Sequence, residues 1–363
     1  MDRVRAVAAA GKRHVRAAAL RGADPRLGTL TKPPPPGFRT VPAGVLAGLR
    51  ELPCDVFVRN GARALLYATV GADAAGLAGR AERGLEFLVR EEDDELLSRM
   101  LADALPGVLS DSRLPPAERS RAAYTIAARV VRPILAPEAR VDQDRLAITH
   151  DAIDAIASRL LVEEDIVWSM VATMQKHLTT HTHALNTAVY AVILAEVIGV
   201  SASEELLDAG RGALLHDIGK IRVPEAVLDK PGPLDAREWA MIRRHPRAGH
   251  DLVIRALGYV PGYAHIIAEH HERVDGSGYP SGRRGSQVAL DSQLVAIVDA
   301  FDALTSTRSY KAAATPFEAL RTMRFQMRGQ FNDGLLLEFI GLLGDWQELR
   351  RTDLHALEAV SGP

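Results

Sequence analysis

Ionisable side chains sit inside apolar runs through the C-terminal half of this chain, and that pattern constrains its folding more than any other. In LLHDIGK, His216 and Asp217 follow two leucines and precede Ile218. In AIVDAFDAL, Asp299 follows an apolar run and Asp302 comes one helical turn later on the same face. An unpaired carboxylate is costly to bury, so the fold must either expose these groups or bring partners to them. LLHDIGK alone leaves both outcomes open. It can be a helix C-terminus with Gly219 as cap and Asp217 exposed, or part of a hydrogen-bonded or metal-holding network.

The histidines narrow the choice. Nine of twelve lie between His177 and His271: His177, His181, His183, His216, His245, His250, His265, His270 and His271. Neutral imidazole and carboxylate together are the usual donors to zinc, iron and manganese. Polar residues recurring on apolar stretches of several helices point to a site inside a bundle, and bundles build metal centres from facing helices. The pair His270-His271 adds a puzzle. Neighbouring helical residues point ~100° apart, so either one histidine is incidental or something sits between them.

The rest of the sequence sets the frame. At ~100–200 residues per domain, a chain of 363 residues predicts two or three domains. A net charge of −2 gives no global basic field to attract nucleic acid, so anion binding must come from local groups. The single cysteine, Cys54, excludes an intramolecular disulfide framework and a cysteine-rich zinc site; it reads as a small buried hydrophobe and fits a reducing cytoplasm. The longest nearly apolar run, Thr187 to Val200, is interrupted by Glu196 and falls short of the roughly 18 residues a membrane span takes. The Arg- and Ala-rich N-terminus lacks the apolar core of a secretory signal.

The expected fold is mainly α, in five segments. Residues 1–37 are a helical or disordered segment ending in the polyproline spacer KPPPPG. Residues 38–92 form a small β-containing regulatory domain: CDVFVR and ALLYATV flank Asn60-Gly61, a strong hairpin signal, and GLEFLVRE reads as another strand. Residues 93–175 are a helical connector, with a proline pair opening PPAERSRAAYTIAARVV. Residues 176–348 form a helical bundle, and 349–363 a tail. The N-terminal part is thus a small α+β domain.

Six motifs then appear in order: HALNTAV from His183, LLHDIGK from Leu214, VLDKPGPL from Val227, HPRAG from His245, HHERVDGSGYP from His270 and IVDAFDALTSTRSYK from Ile297. A lone His-Asp pair is nearly worthless as a signal; the ordered set resembles the HD-GYP family, a branch of the HD phosphohydrolases. The resemblance spans His183 to Lys311. It implies an HD-type helical bundle that hydrolyses cyclic di-GMP at a binuclear centre of divalent ions, iron or manganese. By that resemblance His183, His216, Asp217 and Asp299 hold the first metal. His245, His270 and His271 hold the second, with Asp217 bridging. His181 competes with His183 for the first position, and the following ALNTAV favours His183. Some family members carry a glutamate one turn before the first histidine that supports a third metal; here that residue is Thr179, so a two-metal version is expected.

The implied chemistry is in-line attack on phosphorus by a hydroxide shared between the metals, giving pGpG or, with further hydrolysis, GMP. Lys220 is expected to meet the substrate phosphate and its transition-state charge. Arg308 and Lys311 match family positions associated with substrate phosphate, and Lys230 has a weaker case. Asp302 is expected to orient a histidine or basic residue from behind. Gly276 and Gly278 permit unusual backbone conformations. Tyr279, in the loop ending at Pro280, either lines the pocket, plugs the loop or contacts a GGDEF-type or other signalling protein. Glu272 and Asp275 are expected to fix the histidine pair by hydrogen bonding. The competing readings are a catalytically weak cyclic di-GMP sensor or scaffold, and a hydrolase of another cyclic dinucleotide. A homodimer organised by the N-terminal region is a further expectation.

Overall fold

The computed structural model describes residues 34–41, 43–46, 49–74, 87–136, 139–174, 180–200, 203–306 and 313–343. It divides into two compact units, one built from residues 20–134 and 143–176, the other mainly from 177 onward.

The first unit pairs a sheet with helices. Strands β1 (Phe38–Val41), β2 (Val56–Asn60), β3 (Arg63–Ala68) and β4 (Phe87–Arg90) form an antiparallel sheet in the order β1-β4-β2-β3. The Asn60-Gly61 turn closes the expected hairpin, with Asn60 opposite Arg63 and Gly61 at φ 62°. The strand FRTV was not distinguishable by composition; it exists because β4 pairs with it, Val41 opposite Phe87. Val56, Phe87, Leu88 and Val89 are buried, so β4 is covered on both faces.

Among the described residues, four long helices pack with this sheet's unit: α1 (Asp94–Ser110), α2 (Pro116–Val131), α3 (Gln143–Leu160) and α4 (Glu164–Met174). Pro116 starts α2, where its missing N–H costs no helical bond. Leu97, Leu101, Leu105 and Leu109 make a one-turn-spaced buried stripe along α1, which packs on α2 and α3. Two arginines are buried with partners. Arg129 donates to Asp94. Arg119 donates to the Leu109 carbonyl at 2.7 Å and to Glu163 at 3.0 Å.

The second unit is helical: α5 (Thr180–Val197), α6 (Ser203–Leu215), α7 (Ala236–Ile242), α8 (His245–Leu257), α9 (Ala264–Glu269), α10 (Leu290–Thr305), α11 (Pro316–Arg321) and α12 (Asp333–Leu343). Helix α5 is buried nearly all round and packs against α6, α10 and α12. Tyr190, Phe301 and Phe339 tie three of these helices edge-to-face, with ring centroids 5.1–5.7 Å apart. A tight turn, Ile218–Arg222, follows α6 and packs on α8. Gly219 allows that contact: a Cβ there would lie 2.0 Å from the His245 carbonyl oxygen and 2.5 Å from the Gly249 nitrogen. This is a mainly α architecture with a small N-terminal sheet. Among the described residues, no helix is long and apolar enough to cross a membrane.

Candidate metal centre

Five helices of the second unit, or the turns that end or precede them, bring the polar residues of the apolar runs to one place. His183 comes from α5, His216 and Asp217 follow α6, His245 starts α8, His270 and His271 follow α9, and Asp299 and Asp302 lie on α10. Among the described residues, two groups of side chains could hold a metal ion: His183, His216 and Asp217, and Asp217, His245, His270 and His271. Asp217 belongs to both. Its Oδ2 faces His216 Nε2 at 3.4 Å and His183 Nε2 at 4.0 Å. Its Oδ1 faces His245 Nε2 at 3.2 Å and His270 Nε2 at 3.9 Å. Asp299 closes the first group through Oδ1, 3.1 Å from His183 Nε2 and 3.6 Å from His216 Nε2.

The far side of four rings is fixed by hydrogen bonds. His216, His245 and His270 each place Nδ1 on the carbonyl oxygen three residues earlier: Ala213 at 2.6 Å, Ile242 at 2.7 Å and Ile267 at 2.9 Å. A carbonyl only accepts, so each Nδ1 carries the proton and each Nε2 turns a lone pair to the centre. His183 uses a carboxylate instead. Its Nδ1 lies 2.7 Å from Asp302 Oδ2, and Asp302 also accepts from Asn186 Nδ2 at 2.8 Å and Ser306 Oγ at 3.1 Å. Asn186, almost fully buried, is a participant that sequence reasoning missed. Its signal was an amide on an otherwise apolar helix face.

Electrostatics leave the centre rich in lone pairs. Burial raises the carboxyl of Asp217, but Lys220, His216 and His245 outweigh it and hold Asp217 well below the usual carboxylate range. Asp299 is likewise held low against its burial, by His183, His216 and His271. Burial, reinforced by neighbouring histidines, holds His270 well below its ordinary value and brings His271 down to about 3. His183 behaves oppositely. Burial lowers it, but the flanking carboxylates Asp299 and Asp302 raise it to about 10.

These residues fit a metal by a direct test. His216 Nε2 and Asp217 Oδ1 are buried without a hydrogen-bond partner. Such atoms are costly to leave unsatisfied, and a divalent cation among nitrogen and oxygen donors would satisfy both.

Other expected residues fall around this centre. Lys220 lies beside Asp217, its Nζ 2.6 Å from Oδ2. Lys230 is held by Glu238 at 2.7 Å. Tyr279 stacks on His271 with ring centroids 4.6 Å apart and meets His245 at 6.4 Å. Its amide bonds to the His271 carbonyl at 3.1 Å, and the bond to Pro280 is cis. Gly278 is required where the loop folds back: a Cβ would lie 2.4 Å from the Arg273 nitrogen and 2.5 Å from the His271 oxygen. Glu272 and Asp275 do not fix the histidine pair. Glu272 accepts from the Ser281 and Arg283 amides at 2.6 and 3.0 Å, and Asp275 from the Ser277 amide and hydroxyl at 2.9 and 2.6 Å. The loop's own unpaired N–H groups claim these carboxylates first. His250 and His265 pair with Asp251 and Asp291 instead of joining the cluster. Thr179, Arg308, Lys311, His177 and the side chain of His181 lie outside the described residues.

Comparison with known proteins places this geometry in context. Residues 165–334 match the family model described as HD domain. The chain is 30% identical over 268 residues to a cyclic di-GMP phosphodiesterase of Pseudomonas aeruginosa, covering 73% of this chain and 64% of that one. It is 32% identical over 205 residues to 3′3′-cGAMP-specific phosphodiesterase 2 of Vibrio cholerae, covering 56% and 38%. It is 42% identical over 142 residues to a cyclic di-GMP phosphodiesterase response regulator of Xanthomonas campestris, covering 39% and 37%. The chain thus spans from 37% to 64% of the length of these relatives. A solved HD-GYP-type protein of Bdellovibrio bacteriovorus shares the fold, with TM-score 0.62, 19% identity, and coverage of 86% of this chain and 99% of that one.

Proposed function

Residues 165–334 belong to the HD domain family, and on that premise we propose that this protein is a cyclic di-GMP phosphodiesterase of the HD-GYP branch with two divalent ions, iron or manganese. The observation that carries the reading is the position of Asp217, whose two oxygens face two different groups of histidines. His183, His216, Asp217 and Asp299 would hold one ion; Asp217, His245, His270 and His271 would hold the other. Bound there, the ions supply Lewis-acid polarisation of a phosphoryl oxygen and a hydroxide nucleophile at neutral pH.

The chain's own residues do the rest. Carbonyl and carboxylate partners at Nδ1 keep the four rings aimed at the centre, so little reorganisation is needed when substrate arrives. Lys220 places a cation at the edge of the centre, where charge develops on the phosphoryl oxygens. Arg308 and Lys311 would hold substrate phosphate. Cleavage of one of the two phosphodiester linkages opens the ring to pGpG.

A second substrate is supported by a specific observation: a matched relative is named a 3′3′-cGAMP-specific phosphodiesterase. Anaerobically purified, metal-analysed protein should be given cyclic di-GMP and 3′3′-cGAMP in parallel, with products resolved by chromatography and mass. Linear pGpG from cyclic di-GMP supports the main reading. Turnover of 3′3′-cGAMP alone transfers the assignment to that substrate. Metal-loaded protein that binds cyclic di-GMP without cleaving it is a sensor, and the enzymatic reading fails.

A further inference from the structure

A ladder of planar groups leads outward from the metal cluster. His271 stacks on Tyr279 at 4.6 Å, with 33° between the rings. The Arg243 guanidinium lies over the outer part of this stack, its Cζ 5.6 Å from the Tyr279 centroid. The same guanidinium lies 5.9 Å from the centroid of Trp239. Trp239 is 47% exposed, so the ladder ends in solvent. Arg243 follows α7 directly and stands two residues before the cluster histidine His245, so its backbone is anchored to the site.

Its charge is uncommitted. Among the described residues Arg243 has no carboxylate partner, whereas Lys220 is paired with Asp217, Lys230 with Glu238, and Arg273 is half-buried with Nη1 donating to the His270 and Glu272 carbonyls. Two aromatic faces attract a guanidinium and restrict its motion without using its N–H donors. A planar fork of free donors, oriented in advance, suits a phosphate oxygen pair. A cyclic dinucleotide carries two phosphodiesters, and only one can occupy the reacting position at a time.

We infer that Arg243, clamped between Trp239 and Tyr279, is a substrate-positioning residue that binds the non-reacting phosphodiester of the cyclic dinucleotide. This rests on the phosphodiesterase reading above. It separates two tasks: the metal cluster acts on one phosphate while Arg243 recognises that a second is present. A diester with a single phosphate would reach the cluster without engaging Arg243. Trp239 serves by holding the guanidinium in place.

The test uses the full-length, metal-loaded protein with two substrates: cyclic di-GMP, and bis(p-nitrophenyl) phosphate, which has one phosphodiester. Arg243→Ala should lower the ratio of kcat/KM for cyclic di-GMP to that for the nitrophenyl diester at least tenfold, chiefly through KM. Arg243→Lys should recover part of the ratio, because charge returns without the fork, and Trp239→Ala should lower it by a smaller factor. Binding of cyclic di-GMP, followed by calorimetry, should weaken in the same order. An unchanged ratio in Arg243→Ala overturns the inference, as does an equal loss on both substrates, which would mark a structural role. A wild-type protein that cleaves the nitrophenyl diester but neither binds nor cleaves cyclic di-GMP overturns the substrate reading itself, and this inference with it.

Discussion

Replacing Asp302 by Asn tests how the proposed first metal position would be set from behind. Asp302 accepts three bonds: from His183 Nδ1 at 2.7 Å, Asn186 Nδ2 at 2.8 Å and Ser306 Oγ at 3.1 Å. An amide of the same shape has one oxygen for these donors, and its NH₂ must face either His183 or Asn186. Facing Asn186, it sets donor against donor and leaves a buried amide unpaired. Facing His183, it requires Nδ1 to accept, so the proton moves to Nε2, the atom aimed at the centre. Loss of such an outer partner lowers metal affinity about 10–100-fold, or about 1.4–2.7 kcal/mol at 1.36 kcal/mol per decade. A second effect opposes the first. His183 is raised to about 10 because two carboxylates outweigh its burial. A metal must therefore displace the Nε2 proton, and loading releases it. Removing the Asp302 charge lowers the His183 pKa and weakens that competition. The sign follows: wild-type affinity rises with pH below about 10, and in Asp302→Asn this rise is displaced to lower pH. Metal titrations followed by elemental analysis across pH 6–9 should show weaker binding with a shallower pH slope. Affinity within twofold of wild type, with the slope unchanged, would refute the reasoning.

Three further outcomes are expected. Asp217→Ala should abolish both metal retention and hydrolysis, because both donor groups lose their shared carboxylate; an active, metal-loaded variant would remove the bridging role. Gly219→Ala should destabilise the second unit by about 3 kcal/mol, the upper end for an overpacked site, since the groups in the way are backbone; a melting temperature equal to wild type would contradict this. Glu163→Ala should cost the first unit about 2–3 kcal/mol in denaturant titrations, somewhat less than a fully buried pair, because Glu163 is partly exposed between Arg119 and Arg159. Its carboxyl is held low by Arg119 despite burial, so this stability is present above the ordinary glutamate pKa and lost as pH falls through the folded value. A variant whose acid-unfolding curve overlays the wild type would refute it.

The sequence exposed the site more clearly than the fold around it. Burial cost made His216, Asp217 and Asp299 conspicuous inside apolar runs, and the structure gathers them with His183, His245, His270 and His271. Asp302 behaves as a residue acting through another, on His183. Strand β1 escaped notice because four residues carry no usable period; a partner strand defines it. Glu272 and Asp275 were misjudged because proximity in sequence to two histidines says nothing about competing acceptors' demands, and the loop amides were nearer in space. Arg243 escaped for a related reason. Its neighbours Trp239 and Tyr279 are four and thirty-six positions away, and nothing local distinguishes it from Arg244 beside it.

The adjacent histidines show how chain geometry and chemistry are reconciled. Helix α9 ends at Glu269, and His270 keeps near-helical dihedrals of φ −57° and ψ −19°. Its ring stays tied to the preceding turn through the Ile267 carbonyl, with Nε2 3.2 Å from that of His245. His271 is already past the helix and is held differently. The chain folds back across Gly278, the Tyr279 amide takes the His271 carbonyl, and the Tyr279 ring covers its imidazole. The ~100° between helical neighbours is thus absorbed at a helix end, and the rings lie 4.2 Å apart at their centroids. Two neutral imidazoles at that distance gain little from each other, and burial has already suppressed their protonation. Something else must favour keeping them together. A shared cation would satisfy that requirement, and the loop carrying Gly278 and Tyr279 would then support one of its ligands rather than hang from the bundle as an appendage.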